Sequence, residues 1–380
     1  MPTKTAATIA TATALATAAL GASSAHAARG MEIALQDDGV LASQAYYNRE
    51  SALRRAEQLG VTRIRVNVAW TSVASPVRAR HKPAHVFYGF NQYDSLYLAA
   101  KAHHMKLQLT LTGPAPAWAT ANHRVGPYKP NARYYAEFVA ATVAHFRGLV
   151  DRYSVWNEPN YVGWLAPLKK GPKLYRKLYV AGYRAAKKAD PSAQVLIAET
   201  SPYALRRRAT APLAFLRGVT CTNRRFGHKR CGGLKADGYA HHPYDFDHKP
   251  SYRYRGRDNA TLATLGRLTS ALHRLARAHA LSTPRGGTLP VYLTEYGFME
   301  HGKHHISSRR HASYLRQGFA MALRNRHVKE MLQYLLVKPT RRYAFFDTSI
   351  ASRGGKPSRA FKALAKWAKG QARARRIARP

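Results

Sequence analysis

Three consecutive segments decide the fold of this chain: Lys106-Leu-Gln-Leu-Thr-Leu111, Ala132-Arg-Tyr-Tyr-Ala-Glu-Phe-Val-Ala-Ala-Thr-Val-Ala-His-Phe-Arg-Gly-Leu149 and Tyr153-Ser-Val-Trp156. The outer two are short apolar runs of strand length, and the middle one carries its apolar residues at helical spacing. A strand, a helix and a second strand in that order form a parallel pair joined by a crossover. The rhythm continues in both directions. Further strands are predicted over Met31–Gln36, Thr62–Trp70, Gln194–Ala198, Gly238–His241, Pro290–Thr294 and Glu330–Val337. Helical periods lie over Arg49–Leu59, Phe90–His104, Lys173–Lys188, Leu213–Val219, Leu262–Ala280, Arg309–Arg326 and Ser358–Trp367. Gly60 after Leu59 and Asp190-Pro191 supply helix stops. Eight strands thus alternate with eight helices, and no Pro-, Gly- or Ser-rich linker divides them. The expectation is a single (β/α)8 TIM barrel over residues 28–370, against a doubly wound open sheet as the alternative.

The ends of the chain read differently. Lys4, a weakly apolar Ala/Thr stretch with Ile9, Leu15 and Leu20, and the small-x-small pattern Ala25-His26-Ala27 read as a signal peptide over residues 1–27. An Ala/Thr-rich leader without that role is the alternative. Residues 371–380 form a basic tail with Arg373, Arg375, Arg376 and Arg379. After the leader there is no apolar run of the 18 or so residues a membrane-spanning helix needs. The two cysteines, Cys221 and Cys231, share one glycine-rich loop, and export permits a disulfide between them. The expected location is extracellular, free or associated with a cell wall.

Across 380 residues, 62 Lys and Arg stand against 19 Asp and Glu, a net charge of +43. At 46% hydrophobic the chain can bury a core, which excludes general disorder. The basic residues are spread through nearly every segment. A diffuse excess gives a solvated surface; it also attracts polyanions such as an anionic cell-wall polymer. None of the motifs of specific nucleic-acid binding is present.

The scarcity of acids makes each one informative. Glu50, Glu57 and Glu137 fall on predicted helices as solvated charges. Glu158 and Glu295 instead leave apolar strands directly, in Tyr153-Ser-Val-Trp-Asn-Glu158-Pro-Asn160 and Val291-Tyr-Leu-Thr-Glu295-Tyr-Gly297. In a barrel those positions are at the C-terminal mouth, where active sites form. A carboxylate leaving a buried strand loses hydration unless it is paired or used. Two facing carboxylates are what glycoside hydrolysis requires, one to protonate the leaving oxygen and one to attack the anomeric carbon.

These pieces resemble the clan A glycoside hydrolases, the (β/α)8 enzymes that include families 5 and 39, and the resemblance covers essentially the whole chain after the leader. Its signature is Trp156-Asn157-Glu158-Pro159-Asn160 after the fourth strand and Thr294-Glu295-Tyr296-Gly297 after the seventh. Arg65 on the second strand and His242-Pro243-Tyr244 after the sixth also match. The resemblance implies a retaining enzyme acting on a β-linked glycan, neutral or acidic, with no cofactor. It makes Glu158 the general acid/base and Glu295 the nucleophile, their carboxyls about 5–5.5 Å apart. Asn157 would hydrogen-bond the sugar 2-hydroxyl. Arg65 and Tyr244 would hold Glu295 ionised, and His242 would line the same wall. Many clan members carry a Trp at the end of the eighth strand, where this chain has Tyr334.

Trp70, Trp118 and Trp164 lie just past the second, third and fourth strands and are candidate sugar platforms, or equally packed rim residues. Glu199 ends the fifth strand as a candidate partner of the catalytic groups. Asp37 and Asp38 follow the first strand, as turn residues or site residues. Two other readings stand beside the hydrolase: a carbohydrate-binding barrel without activity, and a metal-dependent hydrolase using His241, His242, His248, His301, His304 and His305 with Asp245 and Asp247. No fixed metal-ligand spacing supports the latter, and no metal is expected.

Overall fold

The computed structural model describes residues 30–227, 230–341 and 346–379. The leader predicted over residues 1–27 lies outside them. Eight strands close into one barrel: β1 (Glu32–Gln36), β2 (Arg63–Ala69), β3 (Lys106–Thr112), β4 (Arg152–Val155), β5 (Gln194–Thr200), β6 (Gly238–His241), β7 (Val291–Leu293) and β8 (Val328–Tyr334). Each strand pairs in parallel with the next, and β8 closes on β1. The crossover helices are α1 (Arg49–Gln58), α2 (Asn91–Ala102), α3 (Ala132–His145), α4 (Gly171–Ala189), α5 (Pro212–Thr220), α6 (Leu265–Arg277), α7 (Ser308–Arg324) and α8 (Arg359–Arg373). The expected alternation is therefore observed element by element, as a TIM barrel rather than an open sheet. No helix among the described residues is long and apolar enough to cross a membrane.

Several helix starts are set by side chains the sequence places just ahead of them. Asn48 accepts from Ser51 N at 2.8 Å, Asn131 from Arg133 N at 2.9 Å, and Ser307 and Ser358 cap α7 and α8 in the same way. Each satisfies an amide that the first helical turn leaves without a partner. α8 runs to Arg373, past the predicted start of the basic tail. The chain then returns to β1, with Gly30 N donating to Arg376 O at 3.1 Å and Ala378 N to Met31 O at 3.0 Å. Cys221 and Cys231 are disulfide-bonded, their Cα atoms 5.8 Å apart.

Strand alternation divides the core into two layers. In β2, Ile64, Val66 and Val68 are fully buried and belong to the apolar shell beneath the helices, while Arg63 and Arg65 occupy the barrel interior. At the N-terminal end of the strands the interior is ionic. Arg63 donates to Glu32 at 2.9 Å and to Asp151 at 2.6 Å, and Arg152 donates to Glu330 at 2.7 Å. The Arg152 guanidinium also lies 4.5 Å over the Tyr292 ring. Leu196, Ala240 and Tyr292 form a separate buried apolar cluster. A Cβ at Gly238 would sit 2.3 Å from the Tyr292 ring, so only glycine there lets that ring fill the space. Arg65 and its partners lie farther along the strands, toward the mouth.

Candidate active site

The polar constellation at the mouth is organised around two buried cations. Arg65 extends from the inner face of β2 and is fully buried. Its Nη1 donates to Glu295 Oε1 at 2.9 Å, its Nη2 to Asn157 Oδ1 at 2.9 Å, and its Nε to Thr110 Oγ1 at 3.0 Å; Gln36 Oε1 accepts a further bond. Glu199 Oε2 is 3.3 Å from Nη2. One guanidinium thereby joins the ends of β1, β2, β3, β4, β5 and β7. His242, also fully buried, is the second hub. Its Nδ1 is 3.0 Å from Glu158 Oε1 and 3.5 Å from Glu295 Oε2, and its Nε2 is 2.8 Å from Glu199 Oε2. Tyr244 OH donates to Glu295 Oε2 at 3.2 Å, and Thr294 Oγ1 donates to Glu199.

The distances to His242 Nδ1 bound the separation of Glu158 and Glu295. Those two carboxylate oxygens are no more than 6.5 Å apart, the sum of the two legs. The backbone is shaped to bring them there. Trp156 (φ 69°), Glu158 (φ 37°), Ala198 (φ 94°) and Glu199 (φ 49°) all take left-handed conformations where β4 and β5 end. Such positions cost about 1–3 kcal/mol each and persist where packing over-determines them. The packing here is explicit. Trp156 is fully buried, with its Nε1 donating to Trp164 O at 2.9 Å; Asn157 N donates to Thr112 Oγ1 at 3.1 Å and Glu158 N to Glu199 O at 3.0 Å.

The electrostatics follow from burial and these contacts. Burial opposes charge on Glu199, but Arg65 and His242 more than offset it and hold its pKa at about 2. Burial likewise opposes charge on His242, yet Glu295, Glu158 and Glu199 around the ring raise its pKa to about 9, so it is an imidazolium at neutral pH. At Glu295 burial wins: its carboxyl is pushed above the ordinary range despite His242 and Arg65. Arg65 acts to lower it, as the sequence led one to expect, and so does His242, but the removal of water outweighs both cations. Burial, with Glu295 next in weight, pushes the Tyr244 hydroxyl well above its usual range, so it stays a donor.

Above the carboxylates is a cleft of about 430 Å³. Asn157, Glu158, Tyr244 and Glu295 line it, with Trp164 on one wall. Of the three candidate tryptophan platforms, two take the packed alternative and not the sugar-facing one. Trp70 is fully buried, stacked on Phe138 at 5.6 Å and edge-on to Trp118, and Trp118 donates from Nε1 to Pro76 O at 2.8 Å. Both rings pack in the shell between the barrel and α3, because the chain turns into helix at Trp70 instead of opening toward the mouth. They present no face to the cleft. Arg65 and His242 lie beneath it and reach it through the carboxylates.

The cleft also contains residues that the sequence reading left aside. Asn67 lines it one alternation beyond Arg65, a signal that strand period alone carries. Tyr161, Tyr203, Phe246 and Phe346 arrive from separate loops without a sequence signature, and Tyr334 stands at the end of β8. Glu199 lies at the centre of the network. Asp37 fastens the mouth, accepting from Tyr46 OH at 2.7 Å and from the amides of Leu336 and Val337. Asp38 accepts from Asn67 N at 2.6 Å. Among the described residues no three His, Cys, Asp or Glu side chains converge as a metal site. His248 pairs with Asp245, His304 with Asp247 and His301 with Lys338.

No family model and no curated protein sequence matches the chain. Solved structures do. A family 39 glycoside hydrolase from Bacteroides cellulosilyticus WH2 aligns at TM-score 0.61 and 18% identity, over 90% of this chain and 64% of that one. This chain thus spans less than two thirds of that protein. A monomeric β-xylosidase from Caulobacter crescentus CB15 aligns at TM-score 0.57 and 17% identity, over 89% of this chain and 69% of that one. Xylanase 10B from Thermotoga petrophila RKU-1, in complex with xylobiose, aligns at TM-score 0.58 and 16% identity, over 90% and 95%. At such identity the likeness is one of fold: the chain is a single (β/α)8 barrel similar to those on which clan A glycoside hydrolases are built.

Proposed function

We propose that the protein is an exported retaining glycoside hydrolase acting on β-linked glycans, with Glu158 as general acid/base and Glu295 as nucleophile. The observation that carries this reading is the pair itself. Two carboxylates from β4 and β7 share His242 Nδ1 at 3.0 and 3.5 Å at the floor of an aromatic-walled cleft. Two carboxylates that share one imidazole nitrogen fit the close pair that double displacement uses. Export fits the disulfide, since such bonds persist in oxidising compartments.

Access and anchoring support the division of roles. Glu158 is the carboxyl that Arg65 does not contact, and its side chain is the more exposed, 18% against 10% for Glu295. That suits a group that passes a proton to the leaving oxygen and takes one from water. Glu295, held by Arg65 and Tyr244, has the fixed position a nucleophile requires. Glu295 attacks the anomeric carbon while Glu158 gives its proton to the departing oxygen, and the glycosidic C–O bond breaks. A water then attacks the same carbon, Glu158 takes its proton, and the ester bond to Glu295 breaks with net retention. Asn157, oriented by Arg65, hydrogen-bonds the 2-hydroxyl, and Trp164 stacks on a sugar ring.

Azide rescue of two variants on activated aryl β-glycosides tests the assignment. Glu295→Ala is expected to abolish turnover and, with azide, to give the α-glycosyl azide. Glu158→Ala is expected to lose about 10²–10⁴-fold on poor leaving groups and to give the β-glycosyl azide. The same anomer from both variants would overturn the roles. Glycan retention by a wild type that releases no sugar from any β-glycan would make this a binding barrel instead.

A further inference from the structure

The strongest feature outside the cleft is an open groove of about 1430 Å³ between α5 and α6. Among the described residues it is lined by eight arginines and a single carboxylate, Asp258. Two of the arginines are structural. Arg217 is committed to Asp258 Oδ1 at 2.8 Å and lies over the Phe226 ring, and Arg267 donates to the carbonyls of Tyr254, Gly256 and Asn259 at 3.1, 2.7 and 3.2 Å. The other six, Arg224, Arg225, Arg253, Arg257, Arg274 and Arg277, are exposed. Like charges gathered along one groove repel one another unless an anion sits among them.

We infer that this groove binds an anionic polysaccharide, one whose charge is borne along a sugar chain by carboxylate groups. The guanidinium fork matches a carboxylate in two-point geometry, which an equally charged set of lysines would not. Among the described residues the one aromatic ring lining the groove itself, Phe226, is buried beneath Arg217 and gives bases no platform to stack on. Nor does a membrane surface fit, because none of the exposed large hydrophobic side chains among the described residues (Phe87, Leu98, Val125, Leu149 and Leu205) lines it. Position supplies the remaining argument. Tyr203 of the cleft wall stacks at 4.9 Å on Tyr254, whose loop also carries Arg253 and Arg257. A polysaccharide leaving the cleft crosses that pair of rings and enters the arginines. The inference extends the proposed function to a class of polymer, but binding there does not require turnover.

The test is electrophoretic retardation of the full mature protein in gels containing polygalacturonate, with neutral xylan as the uncharged probe. Wild type is expected to be held by polygalacturonate only, and Arg253→Gln/Arg257→Gln/Arg274→Gln to bind about tenfold more weakly. A matched variant on α7, Arg309→Gln/Arg310→Gln/Arg316→Gln, removes the same charge elsewhere and is expected to bind like wild type. Equal loss in both variants would show that diffuse charge, not the groove, does the binding. Tighter retention of wild type by polyphosphate or duplex DNA of equal charge would overturn the polysaccharide assignment. The aryl glycoside assay, unaffected by the groove variant, reports separately on the cleft.

Discussion

Replacing Glu199 with Gln removes one charge from the centre of the network while preserving the side chain's shape. Glu199 is fully buried, and its pKa of about 2 against an ordinary 4.5 corresponds to about 3 kcal/mol of stability at neutral pH. Breaking a buried pair by deleting one partner costs a similar 3–5 kcal/mol. With an unfolding entropy of about 0.7 kcal/mol/K for roughly 350 folded residues, a melting temperature about 4 °C lower is expected at pH 7. The pH profile adds a signed test. Glu199 is depressed, so its contribution is present above 4.5 and is lost as pH falls toward 2. His242 is raised to about 9, so its contribution is full below 6.5 and is lost as pH rises through 9. The variant deprives His242 of its 2.8 Å carboxylate, so its alkaline loss of stability should be shallower. Scanning calorimetry of both proteins from pH 5 to pH 9.5 measures this. Taking their difference cancels a group that Glu199 does not act on, such as Asp37, raised to about 7 by burial. A variant that melts within 1 °C of wild type at pH 7, with a parallel profile from 6.5 to 9, would refute the network as a source of stability.

The tryptophans separate core from cleft. Trp70→Ala empties a fully buried site and should cost about 3–5 kcal/mol without raising KM for aryl glycosides. Trp164→Ala should do the reverse, leaving the melting temperature within 2 °C and raising KM about fivefold through the loss of a stacking face; opposite results in calorimetry and kinetics would interchange their roles. The disulfide closes a loop with a sequence separation of 10, so a Cys221→Ser/Cys231→Ser protein should be about 3 kcal/mol less stable by chemical denaturation. An unchanged denaturation midpoint would mean that the bond contributes nothing to stability.

What the sequence determined by itself is the barrel and the placement of Glu158 and Glu295 at its mouth. Eight apolar runs separated by helical periods allow few other arrangements, because parallel strands need crossovers and both faces of the sheet must be covered. Scarcity did the rest: with only 19 acids in the chain, a glutamate directly after a buried strand stands out, and Glu158 and Glu295 both do. Arg65 came from the resemblance, and Asn67, two residues on, shares its face of the strand, a direction the sequence left open. Tertiary structure alone decided the remainder. Trp70, Trp118 and Trp164 all follow strand ends at the mouth side, yet the chain direction after each strand sends two into the shell and one to the cleft. Glu199 is one acid among others until closure of the barrel places it against Arg65 and His242, which come from strands far apart in sequence. The direction of the Glu295 shift depends on how much water folding removes from that carboxyl, and the arginine groove on which two helices become neighbours. Both are distances and burials between segments remote in sequence, quantities that a local pattern of residues does not contain.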